Sequence, residues 1–491
     1  MFRLARGAAL VRRFATRAPS AGLLAELEGR GLVQETTSSA LRAHLDTRSD
    51  DRALVQRTVY SGVDPSASSL HVGNLLPLLA LLHFARHGHR ALVLIGGATG
   101  AIGDPSGRST ERAALDAAML DRNMRAIRAQ VRTFFVNANA YLARRGLSTA
   151  APLDVPDDAV AHARLFDGLD VWLVNNLEWT HGVSILDFLG RVGRYARVTD
   201  MLARDSVKSR LTATDSSGPV GLSFTELSYQ LLQAFDFDVL HTDWECSVQV
   251  GGSDQLGNIS AGIDLIRRRR AAAGTDLKHE PAYGLTMPLL TTASGAKFGK
   301  SAGNAVWTSR ELLSDFDFYQ YFVRSADADV GRYLRTLTLL PADEIDAVLA
   351  AHARAPATRI AQTRLADEMT ELVRGVDALQ RARTATNVLF GRDVAELALD
   401  DVLAAFAGDD RLVRLSRAES LDTELLALLP HVRLVKSRGE ARRLIQNGGG
   451  VYVNGVPVRD AGARFTRDAL LHDSFAVLRV GKANHRIVVL E

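Results

Sequence analysis

Apolar and polar positions follow two rhythms along this chain, and the switches between them mark its elements. Residues 55–63 and 90–96 (the latter RALVLIG) read as short buried strands, each feeding a glycine-containing loop and then a helical pattern. Strand–loop–helix alternation predicts an α/β domain: a parallel sheet with helices on both faces and ligands at the carboxyl ends of the strands. The apolar run from Leu75 to Ala85 and FTELSYQLLQAFDF at 224–237 repeat with helical spacing. QVGG at 249–252 ends a strand, and a helix from about 254 closes in Arg267–Arg270. Residues 138–165 read as surface loop, and 183–211 as one long helical pattern.

After residue 302 the pattern changes. Helix formers (Ala, Glu, Arg and Leu) fill 310–407, a Gly-Asp-Asp break follows at 408–410, and a loose stretch to about 429 reads as a linker. HVRLVKSRGEARRLIQNGGGVYVNG at 431–455 reads as helix, turn, helix, glycine cluster and a strand ending in an Asn-Gly turn. The expected layout is a leader at 1–20, an α/β domain at 21–302, a helical domain at 303–410, a linker at 411–430 and a small α+β domain at 431–491. No internal repeat interrupts it.

Composition sharpens this picture in four places. A length of 491 residues favours two or three cores over one. The net charge is only +3, so any nucleic-acid surface must come from local basic patches. Cys246 is the only cysteine, which excludes an intrachain disulfide and a cysteine-built zinc site. The longest apolar stretch contains Pro77 and His83 and is too short to span a bilayer, so no membrane partner is expected. The first 20 residues carry Arg3, Arg6, Arg12, Arg13 and Arg17, and the first acid is Glu26. This start looks like a mitochondrial transit peptide, with an untargeted basic extension as the alternative.

Four segments carry the candidate chemistry: HVGN at 71–74, GGATGAIGDPSGR at 96–108, VQVGGSDQLGN at 248–258 and KFGKS at 297–301. A histidine and a glycine opening a helix present free N–H groups where a phosphate can sit. Two lysines around a glycine can fold over a polyphosphate. Taken singly, each has a plain reading. Tyr229 could be core, Asp236 a helix-terminal residue and Asp104 a turn aspartate before Pro105. Gly96, Gly97 and Gly100 could merely permit tight turns, and Arg267–Arg270 could be a solvated helix end.

In this order and spacing, the first and last segments resemble the two signature motifs of class I aminoacyl-tRNA synthetases. The two segments between them make the chain similar to tyrosyl-tRNA synthetases. The resemblance implies a Rossmann-like catalytic domain, a helical anticodon-binding domain and a C-terminal RNA-binding domain of the alpha-L type. It implies a homodimer formed through an insertion near 165–222, acting in the mitochondrial matrix. The implied reaction activates L-tyrosine with ATP, accompanied by Mg2+, to tyrosyl-adenylate, and transfers it to the 3′-terminal adenosine of tRNA(Tyr). No prosthetic group, covalent enzyme intermediate or protein-held metal is implied; positioning and charge stabilisation can carry the acceleration.

By the same resemblance His71, Asn74, Lys297, Lys300 and Ser301 serve catalysis, and Asn74 stands where a second histidine is common. Tyr60 and Asp236 would bond the tyrosine phenol; Asp104, Tyr229 and Gln233 its ammonium group; Gln249 and Gln255 the carboxylate region. Asp64, Ser66, Gly73, Arg108, Arg112, Gly252 and Asp254, with Lys300, would hold ATP, Gly73 leaving room for adenine. Arg267, Arg268, Lys436, Arg438, Arg442 and Arg443 would meet tRNA. Leu256 departs from the aromatic residue several relatives carry after SDQ. Tryptophanyl-tRNA synthetase shares the fold and signature motifs but has no use for a phenol-binding pair. A splicing or RNA-binding protein on the same scaffold would not need the full catalytic set, and another nucleotidyltransferase would not need the alpha-L tail.

Overall fold

The computed structural model describes residues 22–106, 115–155, 160–204, 221–275, 280–293, 304–390, 397–446, 450–481 and 484–491, with short pieces between them. Two compact units emerge: residues up to Leu313 together with Tyr321–Gly375, and Ser314–Gln320 together with Val376–Glu491. The expected leader lies outside the described residues.

The first unit is built on a seven-stranded sheet of β1 (Glu35–Thr36), β2 (Thr58–Val63), β3 (Arg90–Ile95), β4 (Ala163–Arg164), β5 (Val171–Asn175), β6 (Cys246–Gly252) and β7 (Tyr283–Met287). Their spatial order is β1-β7-β6-β2-β3-β5-β4. The five central strands are parallel, with Tyr283, Val248, Val59, Ala91 and Val171 in one row across them; β1 and β4 are antiparallel edges. These strands are apolar on both faces, as a sheet covered by helices on both sides requires. From β2 the chain winds outward through β3 to β5 and then returns to β6 on β2's other side. A crevice therefore opens between the carboxyl ends of β2 and β6, the switch point where ligands bind such sheets.

Helices α1 (Leu23–Gly29), α2 (Leu75–Arg86), α3 (Ala117–Arg144), α4 (Phe224–Trp244) and α5 (Leu256–Ala272) belong to this unit, as do α6 (Asp327–Leu337), α7 (Ala342–Arg354) and α8 (Ile360–Arg374). A capping box starts α4: Glu226 N–H donates to Ser223 Oγ at 3.2 Å, and Ser223 N–H to Glu226 Oε2 at 3.4 Å. α1 is tied to α2 through Glu26, which meets His87 Nε2 at 2.8 Å and His83 Nδ1 at 3.2 Å. Arg30, also bonded to Glu26, donates to the carbonyls of Thr338 and Leu340 beyond the end of α6.

Three expectations change here. Residues 138–144 are not loop: α3 runs on to Arg144, with Ala138, Asn139, Tyr141 and Leu142 buried. Residues 183–211 do not form one helix; short helices Ile185–Arg191 and Val198–Leu202 flank a 3-10 turn at Gly193–Tyr195. The helices expected as one domain at 303–410 are shared between the two units.

In the second unit, α9 (Val376–Phe390) and α10 (Leu399–Ala405) precede a five-stranded sheet of β8 (Leu412–Leu415), β9 (Val451–Val453), β10 (Val456–Pro457), β11 (Phe475–Val480) and β12 (Asn484–Leu490), ordered β8-β12-β11-β9-β10. The expected linker at 411–430 is thus folded: β8 pairs in parallel with β12, and α11 (Leu425–His431) follows it. Alternation along β11 and β12 gives each face its own core. Leu478, Val480, Val488 and Leu490 pack with α11 and α12 (Arg438–Gln446), while Phe475, Val477, Ile487 and Val489 pack with α9 and α10. Asn454 and Gly455, both with positive φ, make the two-residue turn between β9 and β10 as the Asn-Gly pair predicts.

Buried histidines give the first unit a pH signature. Burial pushes His83 down to about 4 and His89 down to about 3 from the ordinary 6.5, and His89 Nδ1 accepts the Arg57 N–H at 3.2 Å. Both stay neutral in the fold but charge when unfolded, so the unfolded chain binds more protons below 6.5 and stability falls as pH drops toward 4. The melting temperature should therefore fall between pH 7 and pH 5. His89→Asn, which keeps an acceptor without a proton to gain, should flatten that slope. A pH-independent melting temperature across the window would contradict this.

Candidate active site

A cavity of about 690 Å³ opens at the switch point, lined from β2, β3, β6, α4, the start of α2 and the segment after β7. Its size falls within the range of small-molecule sites. At its deep end, Tyr60 and Asp236 are 1% and 3% exposed. Asp236 Oδ1 accepts Trp179 Nε1–H at 2.8 Å, and Oδ2 accepts Asn176 Nδ2–H at 3.0 Å. Burial nevertheless outweighs both donors and pushes this carboxyl up to about 7. Burial, then the Asp236 charge, pushes the Tyr60 phenol well up. Tyr60 Oη is buried with no hydrogen-bond partner among the described residues. A hydroxyl entering here would meet one carboxylate acceptor and one orphaned phenol.

The middle of the cavity is acidic. Asp64 takes the Tyr229 hydroxyl on Oδ2 at 2.7 Å and the Thr99 hydroxyl on Oδ1 at 2.8 Å. Asp104 takes Gln255 Nε2–H at 2.7 Å and the Ser106 N–H at 2.9 Å. Gln233 donates to Gln255 Oε1 at 3.2 Å and accepts from Asn258 Nδ2 at 3.0 Å. Two carboxylates in a network of fixed amides suit an ammonium group. Gln249 Oε1 is buried without a partner among the described residues and faces the same space. Asp64, assigned from the sequence to ATP, lies at this acidic centre as the acceptor that orients Tyr229.

Toward the mouth, His71 N–H donates to Asn74 Oδ1 at 3.0 Å, which leaves the Asn74 amide NH2 as a donor. A Cβ on Gly73 would come within 2.9 Å of His71 Cε1, so any larger residue there would have to push the ring aside. A Cβ on Gly96 would overlap Asp64 Oδ1, so that glycine lets the loop after β3 close over the carboxylate. Ser66, Gly252 and Asp254 also line the cavity. Arg108, Arg112 and Lys297 lie outside the described residues. Lys300–Ser301 pair with Asn304–Ala305 in a short hairpin, their side chains outside the description.

The structure thus gathers Tyr60, Asp64, Ser66, His71, Gly73, Asn74, Asp104, Tyr229, Gln233, Asp236, Gln249, Gly252, Asp254 and Gln255 around one cavity. The sequence reading missed Asn176, Trp179, Thr99 and Asn258, which hold those side chains in place. NNLEW at 175–179, which begins on the last residue of β5, carried a usable signal, being at the carboxyl end of a parallel strand. The basic candidates are elsewhere. Arg267 pairs with Asp264, and Arg268 with Asp200 at 3.1 Å and the Tyr195 carbonyl at 3.3 Å. Lys436, Arg438, Arg442 and Arg443 are exposed on and beside α12, whose Ala441 and Ile445 face the core.

Known proteins are similar to this chain over nearly its whole length. The family described as "tRNA synthetases class I (W and Y)" matches residues 55–391, and the "Tyrosine--tRNA ligase SYY-like C-terminal domain" matches 411–488. A tyrosine–tRNA ligase of Roseiflexus castenholzii is 41% identical over 475 residues, covering 95% of this chain and 99% of the relative. The mitochondrial tyrosine–tRNA ligase of Drosophila melanogaster is 38% identical over 439 residues, covering 88% and 87%. The crystal structure of a C-terminally truncated Aspergillus nidulans mitochondrial tyrosyl-tRNA synthetase aligns with a TM-score of 0.63 at 31% identity, covering 75% of this chain and 94% of that one. With matches of this extent over both its parts, the chain belongs to the tyrosyl-tRNA synthetases, class I ligases that use ATP to join tyrosine to tRNA.

Proposed function

We propose that this ligase works in mitochondria as a homodimer, and that its cavity takes tyrosine with the phenol against Tyr60 and Asp236. The single observation that carries the orientation is the buried pair of an acceptor carboxylate and an orphaned phenol at the closed end. Phenylalanine would leave the Tyr60 hydroxyl unpaired, at a cost of about 1–3 kcal/mol, and would bring Asp236 no donor beyond Asn176 and Trp179. The ammonium group meets Tyr229, Gln233 and Asp104, and the carboxylate points to Gln249 and Gln255. ATP enters as its magnesium complex, the metal belonging to the substrate. Its ribose and phosphates lie along Asp254, Gly252, Gly73, Ser66, His71 and Asn74, with Arg108, Arg112, Lys297, Lys300 and Ser301 on the phosphates. In-line attack by the tyrosine carboxylate on the α-phosphate then needs only alignment and cationic support for the departing pyrophosphate.

Mitochondrial location draws support from the arginine-rich, acid-free start and from the Drosophila and fungal mitochondrial relatives. The region 303–410 would read the anticodon, the alpha-L tail would grip phosphates, and Arg267 and Arg268 would exchange their acidic partners for the acceptor stem. A dimer is supported by exposed apolar side chains: Ile185 at 72%, Leu186 at 77%, Val198 at 63% and Phe224 at 80% lie on or just after the inserted segment. A patch of this kind marks a protein-binding surface.

Tyrosine-dependent ATP–pyrophosphate exchange tests the specificity, and its pH dependence tests Asp236. The phenol O–H bonds an ionised acceptor more strongly than a protonated one, and Asp236 in the free enzyme is protonated below about 7. Tyrosine affinity should be level at pH 8 and weaken toward about tenfold per unit on acidification below 7. Asp236→Asn should remove this dependence and reduce discrimination against phenylalanine at least about tenfold. An affinity unchanged from pH 8 to 6 would take Asp236 out of the phenol site.

Leu186→Asp should convert the dimer to monomer in sedimentation at micromolar concentration. A variant that stays dimeric moves the interface elsewhere.

Replacing Arg438, Arg442 and Arg443 by Ala together should leave adenylate formation unchanged. It should weaken tRNA binding and reduce its salt slope by about two to three, roughly one for each phosphate no longer gripped. The same slope in both proteins would show that α12 does not meet the phosphates.

A further inference from the structure

The segment after KFGKS is bound edge-on to the segment that carries HVGN, and one side chain clasps both. Val72 N–H donates to the Val306 carbonyl at 3.0 Å, and Thr308 N–H to the Leu70 carbonyl at 2.9 Å. His71 and Trp307 bridge between these bonds, with rings 6.4 Å apart. Ser309 N–H reaches Ser69 Oγ at 3.2 Å, and Arg374 Nη2 holds the carbonyls of Trp307 and Ser309 at 3.1 and 3.2 Å. Upstream, Lys300–Ser301 pair with Asn304–Ala305, so the second lysine is paired to the residue just before Val306.

Gln130, from the middle of α3, sits across the seam. Its Oε1 accepts the Leu70 N–H at 2.9 Å and lies 3.0 Å from both the Ser69 and the Thr308 hydroxyls, while its Nε2–H donates to the Ser68 carbonyl at 2.9 Å. One amide thus holds three consecutive residues ahead of His71 and one residue beyond the lysine hairpin. We infer that Gln130 is a positioning residue for tyrosine activation, fixing the spacing between His71 and the lysine loop so that both reach the same polyphosphate. It touches no substrate; it acts through Leu70 and Thr308. The inference rests on the assignment of His71 and Lys300 to the phosphates, which Lys300→Ala tests separately by its effect on activation.

The experiment measures the single-turnover rate of tyrosyl-adenylate formation, the tyrosine dissociation constant and the melting temperature for Gln130→Leu, Gln130→Glu and Thr308→Val. Gln130→Leu should slow adenylate formation by about 10- to 100-fold, the scale of an ångström-size misplacement. Tyrosine affinity, and the later transfer of tyrosine to tRNA, should stay near wild type. Gln130→Glu keeps the Oε1 acceptor and should restore most of the rate. Thr308→Val, which removes only the far end of the clasp and serves if the leucine variant folds poorly, should slow activation in the same direction without loss of tyrosine sites. The inference is overturned if the rate follows only the fraction of folded protein, if glutamate is no better than leucine, or if both Gln130→Leu and Thr308→Val activate tyrosine at the wild-type rate. A normal rate in Lys300→Ala would instead remove the loop assignment on which it rests.

Discussion

A carboxyl group set into an apolar floor must be given donors, and Asp236 organises much of the site through that requirement. Leu94 lines the same cavity and Phe237 follows Asp236 on α4, and neither can solvate a charge. The donors come from Asn176 and Trp179, at the end of β5 and just beyond it. Asn176 also takes the Ala98 N–H at 2.7 Å and reaches the Thr99 hydroxyl at 3.0 Å. One amide therefore joins the carboxylate on α4 to the glycine loop after β3. Thr99 passes the connection on to Asp64, and Asp64 to Tyr229, back on α4 about two turns before Asp236. The Tyr60–Asp236 end of the pocket and the Asp64–Tyr229 region are consequently set by one network of neutral donors around two carboxylates.

Much of this architecture was legible because it is periodic. β2, β3, β6, α4 and α5 fall where apolar spacing placed them, and the motif residues fall at the strand ends that a parallel sheet reserves for ligands. Periodicity fails where a buried side chain is polar. Asn139 lies in the stretch read as loop, yet it is buried, bonding the Ala150 carbonyl at 2.8 Å and the Ser148 hydroxyl at 2.7 Å. It fails also where partners are distant in sequence: β8 looks like linker because its partner, β12, begins about seventy residues later. Side chains such as Asn258 and Gln130 were invisible for a third reason. They act on other side chains, so their roles exist only once the fold has brought those side chains within reach.

Runs of arginine show the same limit from another side. The cluster closing α5 and the cluster on α12 look alike as sequence. In the fold, Arg267, Arg268 and Arg269 each face an aspartate, Asp264, Asp200 and Asp238 respectively, so much of their charge is balanced within the chain. On α12 the arginines stand exposed, and Glu440, the acid among them, caps the Lys436 N–H at 2.7 Å. A phosphate approaching α12 meets cations with little internal competition; one approaching α5 must first displace an aspartate.

The polar atoms left over in the cavity connect burial to function. Tyr60 Oη and Gln249 Oε1 are buried without partners among the described residues, and Asp236 is charged above pH 7 only against the cost of its own desolvation. Each orphaned atom costs the free protein about 1–3 kcal/mol. Both line the same cavity, Tyr60 Oη at its closed end beside Asp236. A substrate with a donor at one end and a carboxylate and ammonium at the other would relieve these costs on binding. An apolar or shorter amino acid would fill the space and leave them standing. Selectivity of this kind lies less in the bonds the correct ligand makes than in the unpaired groups a wrong one leaves, so the fold accepts a permanent loss of stability at the one place where that loss discriminates.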